Sequence, residues 1–126
     1  MRRIIFTDKA PGPVGPYSQA VRHGGLVFAS GQVAIDPVSG EVVYGGVAEQ
    51  TELALKNLRA VLEAAGSGLD RILKCNVYLA DIGDFEAMNE VYKRYFTKDY
   101  PARLTVAVGS MFGGLAVEID AIAAVE

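Results

Sequence analysis

Ala54, Leu55, Leu58, Val61, Leu62 and Ala65 recur at three- and four-residue intervals, the period of a helix with one buried stripe. They predict a helix over residues 47–65, closed by Gly66 and Gly68. A second stripe, Phe85, Met88, Tyr92, Tyr95 and Phe96, predicts a helix over 84–97, with Asp81 or Asp84 as N-cap and Pro101 as its stop. Elsewhere the period is two. Residues 71–79 set Leu73, Cys75, Val77 and Leu79 against Ile72, Lys74, Asn76 and Tyr78. Residues 115–125 set Val117, Ile119, Ala121 and Ala123 against Glu118, Asp120, Ile122 and Ala124. Further strands are predicted at 2–6, 18–22, 26–33 and 102–108, with a weak extended piece at 41–43. "APGPVGPY" (10–17) and "GSMFGG" (109–114) read as loops.

Each helix bridges two strands, as a parallel crossover does. The expected fold is α+β: one mixed sheet with two helices on one face, in a single domain over residues 1–126. Two helices cover only one face. Placing Leu73, Cys75, Val77, Leu104, Val106, Val108, Val117, Ile119 and Ala121 on the helix side sends Asn76, Tyr78, Arg103, Thr105, Glu118, Asp120 and Ile122 to the other. That second face mixes charges with apolar groups, and its economical cover is another copy of the same sheet.

Arg103 and Glu118 are expected to share this second face whatever the strand order. Two readings compete. One is a structural ion pair at a subunit contact, where losing one member costs about 3–5 kcal/mol. The other is a ligand site, with the Arg103 fork holding a carboxylate and Glu118 handling water or a proton. Asn89 sits on or beside the second helix's apolar stripe, either bonding a backbone group or facing a ligand. Tyr17 follows Gly15-Pro16 and either packs over the loop or lines a site. Gly31, after Ser30, marks a bulge or a place where a ligand meets bare backbone. His23 reads as an exposed turn residue, and Cys75 as an inert core thiol.

Composition narrows the chemistry. Twelve Lys and Arg face fifteen Asp and Glu, for a net charge of −3 with no basic run, so nothing favours a nucleic-acid partner. The chain is 51% hydrophobic, rich for a small monomer, which again points to surface covered by another chain. One Cys excludes an internal disulfide and fits a reducing, cytoplasmic location. No signal-peptide core or bilayer-length apolar stretch is present, so no membrane association is expected. With one His and one Cys, and neither a phosphate-binding Gly-Lys-Ser/Thr loop nor a dinucleotide fingerprint, no metal or cofactor is expected.

"GPYSQAV" (15–21), "FASGQ" (28–32), "NVYLADIGDFEAMNEVYKRYF" (76–96), "PARLTVAV" (101–108) and "VEIDAIA" (117–123) together resemble the Rid family of reactive-intermediate deaminases, also called the YjgF or L-PSP family. The resemblance covers nearly the whole chain. Its most specific part is Pro-Ala-Arg followed, fifteen residues after the Arg, by Glu118 in a Val-Glu-Ile stretch. It implies a chorismate-mutase-like fold, a homotrimer whose sheets meet in a central barrel, and clefts between subunits. It also implies cofactor-free hydrolysis of 2-imino and 2-enamino acids, such as 2-aminoacrylate, to 2-keto acids and ammonia. By the match, Arg103 takes the substrate carboxylate and Glu118 orients water or moves protons, while Tyr17, Ser30, Gly31, Asn89 and Thr105 line the cleft.

Two other activities stand beside this one: an endoribonuclease acting as a translation inhibitor, which the acidic composition argues against, and a non-catalytic trimer binding small carboxylates. Thr105 stands where many members carry Cys, and Leu104 where relatives are often small. The loop Ser110–Gly114 lacks the usual Arg and Pro and is expected to reshape the cleft mouth.

Overall fold

In the computed structural model, which describes residues 1–125, helix α1 (Val47–Ala64) forms on the predicted stripe. Ala54, Leu55, Leu58, Val61 and Leu62 are fully buried, and burying each leucine stabilises the fold by roughly 1.5–3 kcal/mol. The helix closes as a Schellman motif. The Ser67 N–H donates to the Leu62 carbonyl at 2.8 Å and the Gly66 N–H to that of Glu63 at 3.1 Å, with Gly66 at φ 85°. Helix α2 (Phe85–Tyr95) buries Met88, Val91 and Tyr92. Asp81 does not cap this helix: its carboxylate accepts from the Gly83 N–H at 2.8 Å and so caps the 3-10 turn Ile82–Asp84, while the Asp84 side chain makes no cap hydrogen bond. Glu126, the last residue of the expected domain, lies outside the described residues.

The strands are β1 (Arg3–Ile5), β2 (Ala20–His23), β3 (Leu26–Gln32), β4 (Ile72–Leu79), β5 (Ala102–Ala107) and β6 (Val117–Ala124). They form one six-stranded sheet in the order β1-β2-β3-β6-β4-β5. Only β4 and β5 pair in parallel. The weak piece at 41–43 reduces to one bridge between Ile35 and Val42. Cys75, Val77, Leu79, Val117, Ile119 and Ala121 face α1 and α2 and build the core. The mixed sheet with two helices on one face matches the expectation. Among the described residues, no helix is long and apolar enough to cross a membrane.

Two face assignments are corrected. Leu73 is 51% exposed, because a bulge between Ile72 and Lys74 against β6 breaks the alternation; Ile72 takes the inward place. The second correction concerns β5. Cys75 pairs with Arg103, Asn76 with Leu104, Val77 with Thr105 and Tyr78 with Val106. Residues paired across a ladder share a face, so Arg103 and Thr105 lie on the helix side with Cys75 and Val77. Leu104 and Val106 lie on the open side. Arg103 and Glu118 therefore do not share a face. The helix side tolerates the arginine because β5 is an edge strand, and aromatic residues of α2 meet the guanidinium there.

The open face carries Phe28, 45% exposed, and Leu104, 47% exposed, beside Val106 and Ile122. At the other side of β5 the edge is free. The Val108 N–H donates to the Leu79 carbonyl at 2.9 Å. Backbone groups alternate along a strand, so those of Leu104 and Val106 also point to β4. Those of Arg103, Thr105 and Ala107 point to the free edge, where N–H and C=O groups await partners.

Candidate active site

β3 bulges between Ala29 and Gln32 where it pairs with β6, and Gly31 lies in that bulge. A Cβ at Gly31 would overlap the Glu118 carboxyl group, so glycine is what lets this carboxylate lie against bare backbone. Beside it opens a cavity of about 400 Å³, lined by Tyr17, Ser30, Gly31, Val33, Ile35, Phe112 and Glu118 among others. The Ser30 hydroxyl donates to the Ser18 carbonyl at 2.6 Å. The Tyr17 hydroxyl accepts from the Val14 N–H at 3.3 Å, folding the ring over the loop. Gln19, 2% exposed, pins that loop by accepting from the Thr7 N–H at 2.8 Å and donating to the carbonyls of Thr7 at 3.0 Å and Pro11 at 2.8 Å. Asn57 of α1 donates to the carbonyls of Val33 at 3.0 Å and Ile35 at 2.9 Å, holding the cavity's far wall.

Glu118 is half-buried, and burial pushes its pKa above the ordinary carboxylate range, with the negative charge of Asp120 adding to the rise. Asp120 is held in turn, accepting from the Asn76 amide at 2.8 Å and the Tyr78 hydroxyl at 3.2 Å.

A second group of residues meets on the helix side of the β5 edge. Arg103 Nη1 donates to Asn89 Oδ1 at 2.7 Å. Its guanidinium carbon stands 4.7 Å from the Tyr92 ring centroid and 5.6 Å from that of Phe85, within cation–π range. The fork is thus oriented by three residues of α2, with N–H groups left to offer a ligand. Beneath it the Tyr92 hydroxyl and Thr105 Oγ1 are buried without hydrogen-bond partners. Burial pushes the Cys75 thiol up to about 11 and raises Tyr92 too.

The fold therefore divides the predicted site residues in two. Tyr17, Ser30, Gly31 and Glu118 converge on the open-face cavity, while Asn89, Arg103 and Thr105 converge on the edge of β5. Within the protomer the expected Arg103–Glu118 pair does not form. Among the described residues the ion pairs are Lys56–Glu52 at 3.8 Å and Lys93–Glu90 at 3.2 Å, both on exposed helix surfaces. Asn89 touches the arginine, which sequence spacing alone left open between a backbone contact and a ligand contact. Among the described residues, no group of three His, Cys, Asp or Glu side chains could hold a metal ion.

Sequence reasoning missed Gln19 and the aromatic cradle of Arg103. Gln19 looked like an ordinary polar strand residue. Phe112 belongs to the loop expected to reshape the cleft mouth, and its side of that loop lines the cavity. Phe85 and Tyr92 were read only as core stripe, which half describes them.

Comparison with known proteins places the chain in a family. Residues 7–125 match the family model described as "Endoribonuclease L-PSP". The chain is 48% identical over 123 residues to the human protein named 2-iminobutanoate/2-iminopropanoate deaminase, covering 98% of this chain and 90% of that one. The structure superposes on RidA from an Antarctic Psychrobacter with a TM-score of 0.94 at 42% identity, covering 98% and 99% of the two chains. On Escherichia coli TdcF with bound serine the TM-score is 0.93 at 40% identity, with coverage again of 98% and 99%. The family model spanning nearly the whole chain, and full-length relatives at these identities, establish that the chain belongs to the Rid (YjgF/L-PSP) family.

Proposed function

We propose that the chain forms a homotrimer, with the open sheet faces meeting around a central barrel. In it the β5 edge of one protomer closes over the open-face cavity of the next. The observation that carries this reading is the division of the candidate site: Arg103 and the raised-pKa Glu118 lie on opposite faces of one sheet, so only a second copy can bring the two kinds of group into one cleft. The apolar open face, with Phe28 and Leu104 at its surface, supplies a contact that a second copy would bury.

In the composite cleft the substrate is a 2-imino acid or its enamine tautomer, such as 2-aminoacrylate. Arg103 holds the substrate carboxylate through charge-assisted hydrogen bonds. The outward N–H and C=O of Thr105 bond the imine end. Glu118 takes a proton from water as the water attacks the imine carbon. Starting from the protonated imine, the carbinolamine receives that proton on nitrogen; the C–N bond then breaks to release ammonia as the hydroxyl proton passes to the Glu118 carboxylate and the carbonyl of the 2-keto acid forms. Positioned acid–base assistance of this kind accelerates a reaction by roughly 10²–10⁴-fold, enough for a substrate that already hydrolyses unaided. Support comes also from the names of relatives: the human deaminase, and TdcF holding serine, a small amino acid with a carboxylate. The family description names an endoribonuclease, but a cavity holding Glu118, with Asp120 beside it, opposes a phosphate backbone.

The test is subunit mixing. Arg103→Ala and Glu118→Gln are each expected to lose imine hydrolysis above the spontaneous rate, measured with an amino-acid lyase that generates 2-aminoacrylate. Co-refolded, the two variants regain about one quarter of wild-type activity, because a head-to-tail ring pairs intact halves in that share of its sites. Full inactivity of the mixture, with trimers confirmed, refutes the shared cleft.

A further inference from the structure

Phe112 is 56% exposed, an aromatic ring with no packing partner for half its surface. Its loop is nevertheless held. The Tyr44 hydroxyl donates to the Gly113 carbonyl at 2.7 Å. Gly113 and Gly114 take φ 62° and 72°, conformations that glycine adopts without strain. The Gly114 N–H donates to the Met111 carbonyl at 3.0 Å, and the next residue, Leu115, is fully buried. The backbone that carries the ring is thus held at the rim of the cavity.

Phe112 and Glu118 each line two neighbouring cavities. On one side is the apolar space of about 400 Å³ walled by Val14, Val33 and Ile35. On the other is a cleft of about 290 Å³ of mixed character, with Tyr78, Ser110 and Asp120 beside Val108 and Met111. A ligand whose reacting carbon lies at Glu118 must send its side chain one way or the other. The space on the Val14 side is the larger and the more apolar of the two, while the Asp120 side carries a carboxylate, so a hydrocarbon side chain is better accommodated on the Val14 side.

We propose that Phe112 is a specificity-determining residue, forming with Val14 and Ile35 an apolar subsite for the side chain of branched or extended aliphatic 2-imino acids. This rests on the deaminase reading above and deepens it. The apolar space lies within the size range of sites for larger ligands, and 2-aminoacrylate fills little of it. Each methylene placed in such a subsite is worth about tenfold or more in discrimination.

The experiment uses the product 2-keto acids, so that it reads binding without turnover. Calorimetric titration of the full-length protein compares 4-methyl-2-oxopentanoate with pyruvate. The expected wild-type preference for the larger acid is about tenfold or more. Phe112→Ala brings the ratio to within about threefold, Phe112→Leu retains most of it, and Tyr44→Phe lowers it partway by releasing the loop. Equal affinities in the wild type, an unchanged ratio in Phe112→Ala, or failure of both acids to bind would each overturn the proposal. Absence of imine hydrolysis would instead defeat the deaminase reading and leave the affinity ratio standing.

Discussion

Cys75 stands directly opposite Arg103 in the parallel β4–β5 ladder, which puts a buried thiol and the edge guanidinium on the same, helix-covered side of the sheet. Glu118, paired with Tyr78, takes the other side. The two charged groups that the motif joins in sequence are parted by the sheet itself. The proposed composite cleft, and the different duties proposed for the residues around each half, rest on that separation.

Asn89 acts through Arg103. Its amide oxygen accepts from Nη1 at 2.7 Å, and a hydrogen bond to a charged group contributes about 1.5–3 kcal/mol. Asn89→Ala is expected to raise KM about tenfold or more, with kcat changed less, because the guanidinium loses its orientation but not its charge. Asn89→Asp is expected to be worse, since the new carboxylate competes with the substrate for the same fork. Steady-state kinetics on both variants, with 2-oxobutyrate inhibition as a binding readout, separates the two effects.

Glu118 must be ionised to accept a proton. Its pKa is raised by burial and then by Asp120, so kcat/KM is expected to fall with decreasing pH sooner than for an ordinary glutamate. Asp120→Asn removes one cause and shifts that limb to lower pH. Stability moves oppositely. A carboxyl whose folded pKa is raised stabilises the fold while protonated, and that contribution is lost as pH rises through the folded value. Glu118→Gln is therefore expected to melt higher than wild type at pH 7, the difference shrinking as pH falls through the raised folded value of Glu118 and vanishing by the ordinary carboxylate range. Thermal unfolding across pH measures this, and a lower Tm for the variant at pH 7 would contradict it.

Gly31 is a steric requirement of the site. The added methyl of Gly31→Ala overlaps the Glu118 carboxyl group, so the side chain must swing from its seat. A loss of activity of about 10² is expected, with the circular dichroism spectrum of the fold unchanged. Gly66→Ala provides the contrast: at φ 85° it costs about 1 kcal/mol in stability and leaves kcat untouched.

Cys75 is buried, and its thiol is pushed up to about 11. It is expected to be inert to a disulfide-exchange reagent at pH 8 in the native protein, and to react fully in denaturant. Fast native labelling would show that the edge above it opens.

Much of the architecture was legible along the chain. The stripe from Ala54 to Ala65 and the alternation through Val117, Ile119 and Ala121 each follow from one side chain per position meeting one core, and they survive folding unchanged. The Arg103 and Glu118 motif marked the family, and Gly31 stood out as a bulge or a place where something meets bare backbone. What the chain's pattern determined was which residues travel together. A period of two is symmetric under exchange of faces. It could not say that Leu104 looks outward, that a bulge turns Leu73 over, or that Arg103 settles against Tyr92. Only pairing register and the edge position of β5 broke that symmetry, because a face is defined by the neighbouring strand and the covering helix rather than by the strand's own sequence.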